Sequence, residues 1–398
     1  MSKLTTWCAT TCLAALPGAL IAAQPGPLAA AVQPFVEEQR YAGAAIIVVT
    51  GNKILDAETV GFADVATHAP MRLDSIGYVA STGKPIIAAA IMMLVDEGKI
   101  ELDAAVSNYL RDFAPRIRYE DGNHLGELRA PLQSISVRML LDNTSGLQGD
   151  VSANARLYDS MPLDALVRDV VSRPLAHEPG SKFMYSGIGD SVAARVVEVV
   201  SGENIERFLG RRIFAPLGMK DTTFIPTSAE LTRLATSYWT PPGAKQMAVA
   251  PLAMLTRPLD DRTLRYAPSG GLFSTAPDLS RFAQLFLNRG LFDGKRLLST
   301  ASIDLMTHRS LSDEAQTTVP QIPGENAVFS YGLGWGVTND GAYFHPGLGG
   351  SDMAIEHTRH MAVVLMSQSG TDAVFQVRSA VTRLANQLFL EPQAGAKR

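Results

Sequence analysis

Cysteine is almost absent from this chain of 398 residues. The two cysteines, Cys8 and Cys12, both lie in the first segment, residues 1–23. That segment carries one charge, an apolar run and a small-residue end at Ala22-Ala23, which is the pattern of a bacterial signal peptide. Cleavage there removes both thiols, so we expect a mature periplasmic or secreted chain without disulfides or thiolate metal ligands.

An excess of positive charge is also lacking. The formal net charge is -4 and the isoelectric point is near 6.0. This balance offers no basic face for nucleic acid or for an anionic membrane. The leader is interrupted by Pro17-Gly18 and is too short for a stable membrane span. We therefore expect a small neutral or apolar molecule as the partner, and the sequence leaves the oligomeric state open.

Several catalytic signatures are missing as well. The sequence contains no H-E-x-x-H metal motif, no G-x-S-x-G nucleophile elbow and no Walker-type or G-x-G-x-x-G phosphate loop. His357 and His360 flank a predicted hairpin turn, without an acidic or cysteine partner at metal-binding spacing. These absences argue against metal-dependent and nucleotide-dependent chemistry.

What is present is a serine and a lysine at the mouth of a long apolar segment. Ser81 and Lys84 precede the run 86–95, which is apolar on every side and predicts a buried helix. A spacing of three residues places both side chains on one helical face, within hydrogen-bond reach. Lys84 can then act as a base if it is uncharged for part of the time, which burial and the positive helix end favour. The alternative is that Ser81 only caps the helix and Lys84 is solvated.

The order of the predicted elements indicates an α/β fold. A hydrophobic fraction of 46% allows a sizeable core. Strands are predicted at 44–49, 54–62, 331–337, 343–345, 353–355 and 362–366, and helices at 28–38, 136–141, 163–171, 191–200, 205–214, 279–287 and 374–390. Because the strands lie near both ends of the chain, we expect an antiparallel sheet flanked by terminal helices. The predicted domain is 24–398, with a sheet lobe at about 28–102 and 325–398 and an inserted, mainly helical lobe at about 103–324.

Two further side chains are candidates for the site between these lobes. Tyr185, in the turn Tyr185-Ser186-Gly187, is ordinarily a packing residue, but beside Lys84 its phenol pKa would be lowered and it could relay a proton. His345 ends a predicted strand and leads into glycines, where backbone N–H groups can approach a substrate. A lone histidine is more often structural than catalytic.

Together these motifs resemble the serine beta-lactamase-like superfamily, in the branch of class C beta-lactamases, D-Ala-D-Ala carboxypeptidases and family VIII carboxylesterases. S-x-x-K at Ser81, Tyr-Ser at Tyr185 and H-x-G at His345 come in the family's order and separation. The resemblance covers about residues 30–390. Other matching segments are 137–147, 179–180, 215–219, 270–275 and 331–336.

The resemblance implies a fold and a set of roles. Ser81 would be acylated and Lys84 and Tyr185 would share the acid-base work. The backbone N–H groups of Ser81 and Leu348 would form an oxyanion hole, with His345 and Gly347 on the substrate side. The family needs no cofactor, so we expect none.

Two departures from the family pattern bear on the substrate. Gly187 replaces an Asn whose amide contacts the substrate's own amide in penicillin-recognising members, which penalises an amide more than an ester. His345 stands where lactamases commonly have Lys, which weakens capture of a carboxylate. Asn143 replaces a frequent histidine without a clear functional meaning.

The sequence thus predicts an exported serine hydrolase that acts on small carboxylic esters or amides through an acyl-serine intermediate. One alternative keeps the mechanism and changes the substrate: a D-Ala-D-Ala carboxypeptidase, a D-amino-acid amidase or a weak beta-lactamase. The other is a binding protein that keeps the fold and has lost catalysis.

Overall fold

The computed structural model describes residues 25–389, apart from 122–123, 149–158, 160, 253–254, 262–267, 269 and 321–329. The predicted signal peptide, residues 1–23, lies outside the described residues. Within the described part of the chain, no helix is both long and apolar enough to cross a bilayer.

The helices lie mainly between the two groups of sheet strands. They are α1 Pro27–Glu37, α2 Lys84–Asp96, α3 Val137–Leu141, α4 Leu163–Val171, α5 Ile188–Ser201, α6 Ile205–Leu209, α7 Ala215–Leu217, α8 Ser228–Leu231, α9 Ala276–Leu287, α10 Thr300–Thr307, α11 Asp313–Gln316 and α12 Val374–Phe389. The predicted helix 205–214 is in fact α6 followed by one π-helical segment, Gly210–Phe214.

The strands form one large sheet and several small ones. They are β1 Gly43–Val49, β2 Ile54–Asp64, β3 Ala69–Pro70, β4 Gly77–Tyr78, β5 Arg116–Asp121, β6 His124–Arg129, β7 Pro174–Leu175, β8 Tyr238–Trp239, β9 Ala248–Val249, β10 Phe273–Ser274, β11 Leu291–Phe292, β12 Lys295–Arg296, β13 Ser330–Tyr331, β14 Gly336–Val337, β15 Tyr343–Pro346, β16 Asp352–Glu356, β17 Met361–Ser367 and β18 Ser369–Gly370.

The large sheet joins the two ends of the chain, as predicted. Its order is β13-β14-β15-β16-β17-β1-β2-β3, with antiparallel neighbours throughout. β1 and β17 pair at the centre, with Ala44 opposite Ser367 and Val49 opposite Ala362. The antiparallel sheet with terminal helices confirms the predicted fold class.

Alternate side chains of the central strands enter two different cores. In β1, Ala44, Ile46 and Val48 pack with α1 and α12, because successive residues of a strand point to opposite faces. Residues 45, 47 and 49 belong to the core on the other face, where α9 packs against β1. Both faces of β1 are therefore buried, which explains why its sequence is apolar without alternation.

α2 is the central helix of the second core. Every residue from Lys84 to Leu94 is buried. A helix that is apolar all round cannot lie at a surface, so it is surrounded by other elements. Pro85 occupies its first turn, where the missing N–H costs no hydrogen bond. The position of Lys84 at the start of this helix follows from the burial of the whole segment.

The predicted strand 331–337 is wrong in one respect, because it is broken into β13 and β14. These two strands pair with each other, Tyr331 opposite Gly336, around a tight turn. Gly334 in that turn has a φ of +78°, and a Cβ there would lie 2.8 Å from the Ala88 side chain and 3.2 Å from the Lys84 carbonyl oxygen. The turn therefore packs directly on the first turns of α2, next to the proposed base.

Candidate active site

The turn that carries Ser81 is a short 3₁₀ helix, Ala80–Gly83, which continues directly into α2. The helix N-cap of α2 is Gly83, so Ser81 is not the capping residue that the simpler interpretation required. Ala80 has a φ of +49°, a left-handed conformation that a residue with a Cβ adopts only when its surroundings impose it. Strained backbone of this kind is common beside functional groups.

Lys84 is not solvated but forms a buried ion pair. Its Nζ lies 2.6 Å from Oδ2 of Asp190, and the two side chains are 1% and 4% exposed. Nζ also lies 3.5 Å from the Ser186 carbonyl oxygen. The expectation of a lysine kept uncharged by burial is therefore incomplete, because a carboxylate at this distance stabilises the ammonium form.

Asp190 is the side chain of this cluster that sequence reasoning missed. Burial raises the pKa of its carboxyl, and the charge of Lys84 and the hydrogen bond with it act in the opposite direction. Burial disfavours the charged forms of Lys84 and Asp190, whereas their mutual attraction favours them. Because these effects oppose each other, the pair is suited to share one proton. The available signal was an acidic residue in the first turn of α5, five positions after Tyr185.

Tyr185 lies near both Ser81 and Lys84. Its side chain is close enough to that of Ser81 to interact with it, and Lys84 Nζ lies 5.1 Å from the centre of its ring. The residue as a whole is half-buried, with 49% of its surface exposed. Burial, the largest influence, raises the pKa of the phenol, whereas Lys84 and Ser81 lower it. The predicted lowering is therefore wrong in its net direction, and Tyr185 is a neutral phenol at physiological pH.

His345 is buried behind this cluster. It is 2% exposed, with Nδ1 3.0 Å from the Pro346 carbonyl oxygen and Nε2 2.9 Å from the Tyr331 hydroxyl. A carbonyl only accepts, so Nδ1 carries the proton and Nε2 accepts from Tyr331. Burial, together with the charge of Lys84, lowers the pKa of His345 to about 3. Both ring nitrogens are bound inside the protein, and the ring supports the site from behind instead of facing a substrate as a cation.

Asn143 gains a structural role in the same network. Its side chain lies close to the Tyr331 hydroxyl, and its Oδ1 accepts from the backbone N–H of Ser186 at 2.9 Å. Its φ is +61°, which asparagine tolerates better than most residues. Asn143 therefore connects the turn that holds Tyr185 to the tyrosine that holds His345.

We expect His345 to remain neutral across the pH range in which the protein is folded. Spectra of the ¹⁵N-histidine-labelled protein should show its ring protonated at Nδ1 and unchanged between about pH 5 and pH 8, since the pKa lies near 3. Comparison with His345→Gln identifies the signal. A His345 resonance that titrates near the ordinary value of 6.5 would contradict the buried, neutral assignment.

The loop after β15 brings Gly347 and Leu348 to the turn that carries Ser81. A Cβ on Gly347 would overlap the Val79 carbonyl oxygen and would lie 2.8 Å from Thr82 Oγ1, so only a glycine allows this approach. Among the described residues, no acceptor pairs with the backbone N–H of Ser81 or of Leu348. Two N–H groups left without partners beside a serine hydroxyl are suited to bind an oxyanion.

The structure thus brings together five of the six residues singled out from the sequence, and the sixth, Leu348, follows Gly347 directly in the chain. Ser81, Lys84 and Tyr185 are in contact, and Gly347 lies against the turn of Ser81. The ring of Tyr185 lies 6.2 Å from that of His345. No group of three or more histidine, aspartate or glutamate side chains in the described ranges is arranged to hold a metal ion.

Comparison with known proteins agrees with this geometry. The family model described as Beta-lactamase matches residues 28–387. Esterase EstB of Burkholderia gladioli is 36% identical over 215 residues, which are 51% of this chain and 52% of EstB. Penicillin-binding protein 4 of Amycolatopsis lactamdurans is 28% identical over 273 residues, 68% of this chain and 66% of that protein.

Solved structures show the same fold. EstCE1, described as a hydrolase with promiscuous acyltransferase activity, superposes with a TM-score of 0.74 at 24% identity, covering 89% of this chain and 97% of EstCE1. Simvastatin synthase LovD from Aspergillus terreus gives a TM-score of 0.77 at 18% identity, covering 92% and 98%. Since the family model spans nearly all of the described residues, the chain belongs to the beta-lactamase family, within the serine beta-lactamase-like superfamily of hydrolases.

Proposed function

We propose that this protein is a serine hydrolase that cleaves small carboxylic esters through an acyl-Ser81 intermediate. The observation that carries the proposal is the proximity of the Ser81 and Tyr185 side chains, beside the buried pair of Lys84 and Asp190. A serine is a weak nucleophile unless a neighbouring base takes its proton. In this site Lys84 can act as the base, and the Tyr185 hydroxyl can pass the proton of Ser81 to it.

The proton moves within this cluster. When the proton shared by the pair rests on Asp190, Lys84 is a neutral amine. The Ser81 proton then passes to Lys84, either directly or through the Tyr185 hydroxyl, while Oγ attacks the ester carbonyl. The oxyanion forms between the N–H groups of Ser81 and Leu348. Collapse of the tetrahedral intermediate breaks the ester bond, and the leaving alkoxide takes back the proton.

Deacylation reverses the same steps with water. Water attacks the acyl carbonyl and gives its proton to Lys84, either directly or through the Tyr185 hydroxyl. The intermediate collapses to a carboxylic acid and the Ser81 hydroxyl is restored. Every proton returns to its starting group, so the chemistry balances without a cofactor.

The charges around the site favour a substrate without a carboxylate, such as a simple ester, over a substrate that carries one. Two neighbouring cations are already bound, Lys84 by Asp190 and Arg378 by the carbonyl oxygens of Gly347 and Ser351. His345 is neutral because its pKa is about 3. A D-Ala-D-Ala peptide or a penicillin presents a carboxylate that needs a positive partner, whereas a simple ester does not.

The open side of the site is apolar, and it offers no side-chain amide at position 187. Tyr185 and Leu348 are each about half exposed, 49% and 47%. Gly187 is the N-cap of α5 and has no side chain to meet a substrate amide. Both features support an apolar ester as the substrate, consistent with the esterase among the relatives. Export by cleavage after Ala23 belongs to the same proposal and rests on the leader sequence alone.

One experiment tests the mechanism and the substrate class together. Purified protein should hydrolyse a chromogenic acetate or butyrate ester faster than a chromogenic cephalosporin or a D-Ala-D-Ala peptide. Intact-mass measurement after treatment with a fluorophosphonate should show one adduct on the wild type and none on Ser81→Ala. Turnover of the peptide alone would favour the carboxypeptidase alternative. The same adduct on Ser81→Ala would remove Ser81 as the nucleophile, and no adduct on the wild type would favour a non-catalytic binding protein.

A further inference from the structure

A buried hydroxyl, that of Ser351, joins two segments of the site. The first is the nucleophile turn, defined here as residues 79–83, and the second is the oxyanion loop, defined here as residues 346–351. Ser351 is fully buried, and its Oγ donates to the Val79 carbonyl oxygen at 2.7 Å. The same Oγ lies 2.9 Å from Thr82 Oγ1. Because Ser351 has only one proton and gives it to Val79, Thr82 is the donor in the second bond. The hydroxyl thus contacts the residues on either side of Ala80-Ser81.

These bonds fix a turn that would not hold its shape alone. The Val79 carbonyl oxygen also accepts from the backbone N–H of Thr82 at 3.3 Å. Ala80, between them, has a φ of +49°, which is disfavoured for a residue with a Cβ. Such a conformation persists when neighbouring contacts impose it. The Ser351 hydroxyl supplies a contact of this kind from outside the turn.

The oxyanion loop is also bound to α12. Arg378 Nη2 donates to the carbonyl oxygens of Gly347 and Ser351, at 2.6 Å and 2.8 Å. The Gly347 N–H donates to the Ser351 carbonyl oxygen at 2.8 Å, which closes the base of the oxyanion loop. Because these bonds hold the base of the oxyanion loop in place, the bond from Ser351 to Val79 also holds the nucleophile turn, and with it Ser81, in a fixed position relative to the loop.

We propose that Ser351 is a positioning residue that sets the distance between the Ser81 and Leu348 N–H groups. This inference rests on the proposed function. Oxyanion donors act at about 2.7–3.1 Å from the charge that they stabilise. The two donors belong to segments far apart in sequence, and Ser351 is the side chain that bonds one segment to the other. The proposed role is exerted through Ser81, and Ser351 does not touch the substrate.

Ser351→Ala tests this role, because it removes the hydroxyl without adding bulk. The measurements are the rate of fluorophosphonate adduct formation and the kcat and KM for the butyrate ester. We expect the adduct rate and kcat to fall about 10- to 100-fold, because a small displacement of aligned groups has effects of this order. KM should change less than about threefold, since the substrate's apolar contacts remain.

Ser302→Ala is the matched control. Ser302 is also buried, and its hydroxyl donates to Asp96 Oδ1 at 2.7 Å at the opposite end of α2. Both variants lose one buried hydroxyl and should show similar losses of melting temperature. Only Ser351→Ala should slow the chemistry, and Ser302→Ala should keep its adduct rate within about twofold.

The outcomes separate this proposal from the proposed function. Absence of an adduct on the wild type, or an adduct on Ser81→Ala, would overturn the proposed function. A normal wild-type adduct with an unchanged rate for Ser351→Ala would overturn the positioning role alone. An equal loss of kcat in Ser302→Ala would overturn it too, since the effect would then be one of general stability. If Ser351→Ala fails to fold, Thr82→Val should lower the adduct rate about 3- to 10-fold, and an unchanged rate would overturn the role.

Discussion

Lys84→Met is expected to abolish acylation and to lower the free energy of unfolding by about 3–5 kcal/mol at neutral pH, because it leaves the buried carboxylate of Asp190 without its partner. The loss of acylation follows from the loss of the only base in contact with the Ser81 and Tyr185 cluster in the described part of the chain. Chemical denaturation measures the stability, and the fluorophosphonate adduct measures the acylation.

The stability loss should depend on pH in a defined direction. Burial raises the pKa of Asp190 above its ordinary value of 3.8, and removal of Lys84 takes away the main opposing influence. A carboxyl with a raised folded-state pKa destabilises the protein above that pKa, and the penalty disappears as the pH falls toward 3.8. The difference between Lys84→Met and wild type should therefore shrink as the pH is lowered from 7 to 5.

A double variant separates the structural from the catalytic part of this effect. Lys84→Met combined with Asp190→Leu removes both charges and should recover most of the lost stability, while the protein stays inactive. The control is Arg168→Met, which breaks the exposed pair with Asp164 and should cost less than about 1 kcal/mol. A stable Lys84→Met protein would show that the pair contributes nothing to folding. An unchanged adduct rate would exclude Lys84 as the base.

Gly347→Ala is expected to lower kcat by about 10²- to 10³-fold, the usual effect of losing one oxyanion donor. The added Cβ would overlap Ser351 Oγ and the Val79 carbonyl oxygen and would lie 2.8 Å from Thr82 Oγ1. Because two of these atoms belong to the buried turn before α2, the oxyanion loop has to move away from Ser81. The measurement is kcat and KM on the chromogenic ester, with circular dichroism to check folding.

Gly349→Ala, in the same loop, is the control for this variant. A Cβ at that position would lie 3.4 Å from Gln368 Nε2 and 3.5 Å from the Tyr78 carbonyl oxygen, which are ordinary contacts. Its kcat should stay within about threefold of the wild-type value. If the two alanine variants had equal activities, the close approach of Gly347 would have no part in catalysis.

The general architecture was predictable because it depends on local patterns. The apolar runs that form β1, β17 and α2 have lengths and compositions that select strand or helix, and the order of the elements then implies a sheet built from both ends of the chain. The division of 331–337 into two strands was not predictable. It depends on the contact of Gly334 with α2, which no local pattern encodes.

In the site, the approach of Ser81 to Lys84 was predictable from the sequence, whereas the contact of Lys84 with Asp190 was not. Ser81 and Lys84 share a helical turn, so their spacing predicts that they meet. Asp190 lies 106 positions after Lys84, and no spacing rule connects the two. The direction of the Tyr185 pKa shift was missed for a related reason. Proximity to Lys84 was inferred from the motif, whereas the larger effect of burial depends on the surrounding packing.

The pairing of β1 with β17 has a consequence for biosynthesis. A ribosome makes residues 43–49 long before residues 361–367, and Arg378 of α12 comes later still. Until those segments are translated, β1 lacks its neighbour β17, and the loop carrying Leu348 lacks the hydrogen bonds from Arg378. The site proposed around Ser81 is therefore complete only after residues 361–378 have been made.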